Sequence, residues 1–343
     1  LMAVSQPSFF LLLNVAILAI FWVSSNMIDA GTLQIGELVA FIEYLFHAMF
    51  SLMLFSMVFV MYPKAQVSAN RIEELLNEEP LIKNPENGVK QTEVKGEVEF
   101  DNVTFVYPNG EEPVLKNISF KCKKGEMIAF IGSTGSGKST LINLIPRFYD
   151  VTEGSIKVDG VDVRDYDLKA LRKKIGFIPQ KTLLFTGSIS SNIKFGKKNA
   201  KTGEVVHSAK VAQAYDFISK KPKQFEEIIS EGGKNVSGGQ KQRLSIARAL
   251  VRKPEIYIFD DSFSALDFKT DSILRERLKE ETKESVVLVV AQRVGSIMEA
   301  DRIVVLNEGE IVGIGKHKEL LKTCTIYNEI ASSQLTKEEL EYE

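Results

Sequence analysis

Two long apolar segments open the chain and contrast with the mixed pattern that follows them. Residues 8–25 form a run of eighteen residues without a charge, and residues 38–62 form a second apolar run. A helix needs about 20 apolar residues to cross the hydrocarbon core of a bilayer. The polar segment 26–37 joins the two runs, so the pattern predicts a membrane-spanning helical hairpin. The alternative is a pair of buried helices in a soluble core, which the apolar character of every face disfavours.

The distribution of basic residues gives this hairpin an orientation. The first 63 residues contain no Lys or Arg, and Lys64 and Arg71 follow the second run. Because cytoplasmic flanks of membrane helices carry an excess of basic residues, the C-terminal end of the second helix is expected in the cytoplasm. The helical period continues past Pro63, so the helix is expected to reach about Leu76. We therefore assign residues 1–76 to a membrane region.

Two ionisable residues of the second run lie on one helical face. Glu43 and His47 are four positions apart, a spacing that places side chains on the same side of a helix. Ionisable groups inside a membrane are costly and often line a transport pathway. Alternatively, Glu43 lies near the outer interface and His47 contacts a neighbouring helix. The sequence leaves both interpretations open.

A linker and a second domain follow the membrane region. Residues 77–96 combine prolines, a glycine and charges, which is typical of a linker. Residues 97–333 alternate short apolar runs with helical patterns, which predicts an α/β domain with a parallel core and an antiparallel edge. The predicted strands lie at 98–107, 114–122, 127–132, 174–179, 256–260, 286–291 and 302–306. Residues 334–343 are predicted to be an acidic tail.

Charge and cysteine content exclude several classes of protein. The net charge is −2 and no basic block stands out, so nucleic-acid binding is not favoured. Cys122 and Cys324 are the two cysteines, too few for a disulfide framework or a zinc cluster. A reducing, cytosolic environment is the simplest interpretation for this part of the chain.

A glycine-rich segment carries the clearest chemical signal. Residues 132–139 read GSTGSGKS and follow a predicted strand, which matches the phosphate-binding loop G-x-x-x-x-G-K-[ST] in its proper context. In such a loop backbone N–H groups bind phosphate, Lys138 reaches the β and γ phosphates, and Ser139 binds Mg²⁺. Asp260 ends an apolar strand, where a carboxylate holds Mg²⁺ in phosphate-loop proteins.

Further motifs make the chain resemble the ATP-binding cassette (ABC) family. Ser237, Gly238, Gly239 and Gln240 resemble its signature motif, Gln180 its Q-loop glutamine, and Asp267 its D-loop. Tyr107 ends the predicted strand at 98–107, where the family stacks an aromatic ring on adenine. The resemblance implies ATP and Mg²⁺ as cofactors, with Ser139, Gln180 and Asp260 at the metal. It also implies a nucleotide-binding set of Tyr107, Gly132, Ser133, Thr134, Gly135, Ser136, Gly137, Lys138, Ser139, Thr140 and Gln180.

The resemblance extends over residues 97 to about 333 and implies a P-loop NTPase fold of ABC type with a helical subdomain. A cassette fused behind membrane helices is similar to ABC exporters, whose half-transporters carry six such helices. Four preceding helices are therefore expected to be missing here. The implied location is the cell membrane, with several spans and a cytoplasmic nucleotide-binding domain.

Two positions depart from the family pattern, and both are catalytic. Asp261 stands where the family usually has Glu as the base, and Gln292 stands where it usually has the switch His. Asp is shorter by one methylene, and Gln has no imidazole proton to place. With Lys138 and the other phosphate-binding residues retained, the pattern resembles the slow, degenerate site of heterodimeric exporters. Neutral change in a still active enzyme is the alternative.

The resemblance implies a second half-transporter as partner, in a head-to-tail dimer around two ATP molecules. The signature motif of this chain would then complete the active site of that partner. The lipid bilayer and a transported small amphipathic molecule are the other expected partners, and no nucleic acid is expected. Two rival functions remain: a hydrolytically competent homodimeric exporter, and an ATP-sensing regulatory subunit.

Overall fold

The computed structural model describes residues 2–335, apart from the side chains of residues 2–6 and 268. The acidic tail predicted at 334–343 lies outside the described residues from position 336 onward. The chain divides into two compact units, Leu1–Pro80 and Leu81–Glu343, and each unit is considered by itself.

The first unit is a helical hairpin. Helix α1 spans Met2–Asp29 and helix α2 spans Ile35–Asn77, so both helices extend beyond the apolar runs at 8–25 and 38–62. Most large apolar side chains of the pair are exposed, as Trp22 is to 78%. Both helices are long and apolar enough to cross a membrane.

Local chemistry explains where these helices end. Gly31 follows α1 with a left-handed φ of 71°, and the N–H of Thr32 closes the last turn on the carbonyl oxygen of Met27 at 2.9 Å. A glycine in this conformation is a common helix terminator. Pro63 lies inside α2. It removes one helical N–H donor, yet the helix continues past it to Asn77, as the helical period indicated.

The segment predicted as a linker, 77–96, makes specific contacts within the second unit. The side-chain amide of Asn84 donates to Oδ2 of Asp167 at 3.1 Å. Val89 forms an isolated parallel β-bridge with Tyr166. From Asn84 onward the segment therefore follows the surface of the second unit instead of forming a free connection.

The described strands of the second unit form three sheets. Their bounds are β1 (Val98–Phe105), β2 (Leu115–Cys122), β3 (Met127–Gly132), β4 (Glu153–Val158), β5 (Val161–Asp162), β6 (Ile175–Ile178), β7 (Gly187–Ser188), β8 (Ile228–Ile229), β9 (Ile256–Asp260), β10 (Val286–Val290), β11 (Arg302–Asn307) and β12 (Glu310–Gly315). The largest sheet has the order β12-β11-β3-β10-β9-β6, and the others are β2-β1-β4-β5 and β7-β8. In the largest sheet all neighbours are parallel except β12, which pairs antiparallel with β11. The predicted fold class, a mixed sheet with a parallel core and an antiparallel edge, is confirmed.

Most of the described helices of the second unit are short, and two have 13 and 14 residues. Their bounds are α3 (Lys138–Leu144), α4 (Leu168–Lys174), α5 (Ile189–Lys194), α6 (Thr202–Val211), α7 (Tyr215–Ser219), α8 (Gly238–Leu250), α9 (Phe268–Glu281), α10 (His317–Thr323) and α11 (Thr325–Gln334). Helices α5–α8 correspond to the predicted helical subdomain.

The large sheet separates two hydrophobic cores. Along β3, Ile128 and Phe130 point into one core while Ala129 and Ile131 point into the other. Because side chains of a strand alternate between faces, a strand buried on both sides must be apolar at every position. This requirement explains the continuous apolar runs of β3, β9 and β10. Because these strands pair parallel, their carboxyl ends lie at one edge of the sheet, where the candidate site lies.

Candidate functional site

Glycines shape the loop that joins β3 to α3. Gly132 has a φ of 157° and Gly137 a φ of 95°, conformations that residues with a side chain rarely adopt. A Cβ on Gly132 would overlap the carbonyl oxygen of Leu306, and one on Gly137 would lie 2.7 Å from a methyl carbon of Leu115. The glycines therefore let the loop lie tightly against its neighbours in the arrangement that binds phosphate through backbone N–H groups.

The ammonium group of Lys138 lies across this loop. Its Nζ donates to the carbonyl oxygens of Gly132 at 2.8 Å and Ser133 at 2.6 Å, and to the hydroxyl of Ser136 at 3.2 Å. Partial burial lowers the pKa of Lys138, and the negative charges of Asp261 and Asp260 act in the opposite direction. The lysine thus places a positive charge beside both carboxylates and the loop backbone.

Ser139 and Asp260 form a pair of oxygen donors. The hydroxyl of Ser139 donates to Oδ1 of Asp260 at 3.0 Å. Burial raises the pKa of Asp260, the bond from Ser139 lowers it, and the adjacent carboxylate of Asp261 raises it. Hydroxyl, carboxylate and amide oxygens are the ligands that Mg²⁺ accepts in proteins. With Gln180 on the same cavity, these residues fit the predicted metal set of Ser139, Gln180 and Asp260.

Asp261 is held between two side-chain amides. Its Oδ2 accepts from Nε2 of Gln180 at 3.0 Å and from Nε2 of Gln292 at 2.9 Å. Its backbone has a left-handed φ of 46°, and its N–H donates to the carbonyl oxygen of Val290 at 2.9 Å. Burial raises the pKa of Asp261, while the bond from Gln180 lowers it. The two positions that depart from the family pattern are therefore in direct contact.

One cavity of about 660 Å³ brings the predicted residues together. The predicted residues that line it are Gly132, Ser133, Thr134, Gly135, Gly137, Lys138, Ser139, Thr140, Gln180, Asp260, Asp261 and Gln292. Ser136 does not line the cavity, because it is 2% exposed and lies behind the loop, where its hydroxyl accepts from Lys138.

The position of Tyr107 requires a correction. The sequence analysis placed it at the end of a strand, but β1 ends at Phe105, because a turn closed by the N–H of Gly110 on the carbonyl oxygen of Tyr107 begins there. The Tyr107 ring packs edge-on against Phe105 and Tyr149. Its hydroxyl lies 3.0 Å from Oγ1 of Thr140. Tyr107 therefore lies next to a residue of the cavity wall, and its contact with adenine stays a prediction.

The signature and D-loop residues occupy helix starts. Ser237 caps α8: its hydroxyl accepts from the N–H of Gln240 at 3.3 Å, and its own N–H donates to Oε1 of Gln240 at 3.1 Å. Asp267 caps α9 by accepting from the N–H and the hydroxyl of Thr270. Within the described part of the chain, neither Ser237–Gln240 nor Asp267 lines the cavity.

The cavity wall also contains residues that the sequence analysis missed. They are Val114, Val290, Ile330, Ser333 and Gln334. Three of them belong to α11, near the end of the described chain. No motif marks them, because an amphipathic helix with one glutamine at its end has no distinctive pattern. Gln334 hydrogen bonds to the loop that carries Gln292.

Comparisons with known proteins agree with this geometry. A family profile described as "ABC transporter" matches residues 115–264. An uncharacterized ABC transporter ATP-binding protein of Bacillus subtilis, YfiB, is 41% identical over 97% of this chain and 58% of the relative. A putative multidrug export ATP-binding/permease protein of the same organism, YgaD, is 37% identical over 89% of this chain and 52% of the relative.

A solved structure of a bacterial Atm1-family ABC exporter with ATP bound superposes with a TM-score of 0.83 at 30% identity, covering 98% of this chain and 59% of that one. The chain thus spans somewhat more than half the length of the relatives it matches. Its phosphate loop, the Ser139–Asp260 pair and the sheet order all lie in the part that is shared. The chain therefore carries an ABC transporter domain with the ABC-type P-loop NTPase fold.

Proposed function

We propose that this chain is the ATP-binding and membrane-spanning subunit of an ABC exporter, an ATPase that couples ATP binding and hydrolysis to efflux of a small amphipathic substrate. The observation that carries the proposal is the convergence of Lys138, Ser139, Gln180 and Asp260 on one cavity. The apolar helices α1 and α2 form part of a multi-pass domain in the cell membrane, and the second unit lies in the cytoplasm. Relatives named as exporters support this assignment.

The phosphate-binding residues would hold ATP with Mg²⁺, which neutralises phosphate charge during transfer. Lys138 supplies a positive charge at the loop, and Ser139, Gln180 and Asp260 supply oxygen ligands for the metal. Tyr107 would contact adenine. Each of these roles uses a side chain that lines the cavity or contacts its wall.

Hydrolysis at this chain's own site is slow. The carboxylate of Asp261 is retracted by roughly 1 Å relative to Glu, and misplacement on that scale can cost about 100-fold in rate. Its Oδ2 accepts from Gln180 and Gln292, so these two amides set the direction in which the shortened carboxylate points. Gln292 cannot carry the proton that an imidazole carries.

The signature motif acts on a partner. Ser237–Gln240 lie outside the cavity of their own chain, as required if they complete a nucleotide site across a dimer. The partner is a second half-transporter, which in a heterodimer keeps Glu and His and carries an altered signature. ATP at the site described here then acts as a lasting tether that biases the closed state.

Nucleotide binding tests the central claim. In the full-length protein with the proposed partner subunit, Lys138→Ala is expected to weaken ATP binding at this chain about 100-fold, because a charged donor to phosphate is lost. Lys253→Ala removes a surface lysine whose nearest carboxylate is 3.7 Å away, and it is the matched control. Unchanged ATP occupancy in Lys138→Ala would refute the proposal.

Two rival functions make different predictions. A hydrolytically competent homodimer would show turnover by this chain alone at the rate of exporters that have Glu and His. An ATP-sensing regulatory subunit would lack a transport path. Cross-linking of a fluorescent drug to residues around Glu43 and His47 under transport conditions tests that path, and absence of labelling favours the sensor.

A further inference from the structure

A glutamine at the end of the last described helix holds the loop that follows β10. Nε2 of Gln334 donates to the carbonyl oxygen of Gln292 at 2.9 Å, and Oε1 of Gln334 accepts from the N–H of Val294 at 2.8 Å. One side-chain amide thus bonds to the backbone on both sides of Arg293. This pair of bonds fixes the loop at the residue that contacts Asp261.

Helix α11, which carries Gln334, packs one face into the hydrophobic core. Within α11, Tyr327 and Ala331 are fully buried, and Ile330 packs against the core. The hydroxyl of Tyr327 lies 2.7 Å from Nδ1 of His317 in the preceding helix. Because a buried helix face resists displacement, the position of Gln334 is set by the core and not by the loop that it contacts.

A continuous chain of contacts leads from α11 to the carboxylate. Gln334 fixes the backbone of Gln292, and Nε2 of Gln292 donates to Oδ2 of Asp261 at 2.9 Å. Gln334, Gln292 and Asp261 also line the same cavity. A small displacement of the loop would therefore move the Gln292 amide relative to the carboxylate.

We propose that Gln334 is a positioning residue, which holds Gln292 against Asp261 and thereby links the C-terminal helix to the nucleotide site. The proposal rests on the proposed nucleotide function. It requires that loss of Gln334 acts through Gln292 and leaves ATP binding at the phosphate loop intact.

The test uses single-turnover hydrolysis of ATP by the full-length protein with the proposed partner subunit. The kinetic phase that is lost in Lys138→Ala is assigned to hydrolysis at this chain's own site. Gln334→Ala is expected to slow that phase about tenfold, since loop displacement misplaces the amide, while the Kd for ATP stays within about twofold. Ser332→Ala is the control, because the Ser332 hydroxyl bonds within α11 to Asn328. It is expected to leave both quantities unchanged.

A double-mutant cycle identifies the route of the effect. In a Gln292→Ala background, Gln334→Ala is expected to cause no further slowing, because coupled residues are not additive. An equal slowing in both backgrounds, or a loss of ATP affinity as large as the loss of rate, would overturn the proposal.

Hydrogen exchange separates this inference from the proposed function. The N–H of Val294 is expected to exchange faster in Gln334→Ala and to stay protected in Gln334→Glu, which keeps the acceptor but loses the donor to Gln292. If the N–H of Val294 exchanges in Gln334→Ala at the same rate as in the wild type, the inference is overturned, whatever the ATP measurements show. Failure of Lys138→Ala to reduce ATP occupancy would instead refute the nucleotide function alone.

Discussion

Asp260 and Asp261 are neighbours in sequence, yet they belong to two parts of the cavity that are built differently. We call residues 132–139 with Asp260 the phosphate half, and Asp261 with Gln180 and Gln292 the hydrolytic half. Asp260 accepts from Ser139 of the phosphate loop, whereas Asp261 accepts from Gln180 and Gln292. The phosphate half follows the family pattern at every predicted position. The hydrolytic half departs from it at Asp261 and Gln292.

Under the proposed function, nucleotide binding and hydrolysis would therefore have separate structural supports. The phosphate half depends on backbone shape, because Gly132 and Gly137 set the path of the loop and tolerate no side chain. The hydrolytic half depends on side-chain amides whose positions are set by loops. A sequence can therefore change its groups for hydrolysis while retaining its fit to a magnesium nucleotide, and variants should affect binding and turnover independently.

The largest effect is expected in the phosphate half, from Gly132→Ala. The added Cβ would overlap the carbonyl oxygen of Leu306, so the loop must leave its path between β3 and α3. We expect ATP affinity to fall by about 100-fold or more, because several phosphate contacts depend on that path. Titration with a fluorescent ATP analogue measures the affinity.

Gly135→Ala is the matched control for this prediction. Gly135 also has a positive φ, 84°, but a Cβ there would meet nothing within 4 Å. Only the backbone strain of about 1–2 kcal/mol remains, so affinity should fall by no more than about 30-fold. Equal losses in both variants would show that strain, and not the close approach to Leu306, limits the loop.

In the hydrolytic half we expect the double variant Asp261→Glu/Gln292→His to raise the rate of ATP turnover. A longer carboxylate and an imidazole restore the groups that the family uses, and turnover at this site should rise by about 10–100-fold. The Kd for ATP should stay within about threefold, since Lys138 and Ser139 are untouched. Phosphate release by the full-length protein measures the rate.

Asp260→Glu lengthens the neighbouring carboxylate by the same methylene and serves as the control. It should not raise turnover, because Asp260 bonds to Ser139 and lies in the metal set. If wild-type turnover already equals that of the double variant, the site is not slow and the comparison between the two halves fails.

Sequence predicted the phosphate half better than its surroundings, for a physical reason. The loop at 132–139 and strands β3 and β9 are local features, because continuous apolar runs and glycines at fixed spacing dictate them. The pairing of Gln334 with the loop after β10 joins distant parts of the chain by one amide, which leaves no periodic signal. Tyr107 was assigned to the strand because the apolar run continues through Val106 to Tyr107, although β1 ends at Phe105.

In the sheets, too, the sequence predicted local features and missed contacts between distant parts of the chain. Alternating apolar and polar positions are typical of antiparallel strands, and β1 and β2 do pair antiparallel. Alternation does not say which sheet a pair joins, and these strands form a sheet with β4 and β5. The antiparallel edge of the large sheet is β12, which was missed because its glycines weaken the strand pattern.

A smaller effect is expected from Ser139→Ala, and it concerns the metal. Removing the hydroxyl that bonds to Asp260 takes one oxygen from the predicted Mg²⁺ set, and the gain in ATP affinity on adding Mg²⁺ should fall about tenfold. Titrations with Mg²⁺ and with EDTA measure this gain. Ser133→Ala, on the same loop but outside the metal set, should keep the full gain. A full gain in Ser139→Ala would exclude the hydroxyl as a ligand.

The smallest effect is expected at the margin of the phosphate half, from Tyr107→Phe. This change removes the hydroxyl that lies 3.0 Å from Oγ1 of Thr140 but keeps the ring between Phe105 and Tyr149. The loss of one neutral hydrogen bond costs about 1 kcal/mol, or about fivefold in affinity at most. Thr140→Val removes the same bond from the other side and should have a similar effect on ATP binding.

Tyr107→Leu then tests how much the aromatic ring itself contributes to ATP binding. If adenine stacks on Tyr107, this variant should lose a further 1–3 kcal/mol or so of ATP affinity beyond Tyr107→Phe. Its affinity for inorganic triphosphate, which has no base, should match that of Tyr107→Phe. Equal losses for both ligands would mean that Tyr107 supports the loop through Thr140 and does not contact the base. The phosphate half would then bind the triphosphate without an aromatic contribution from Tyr107.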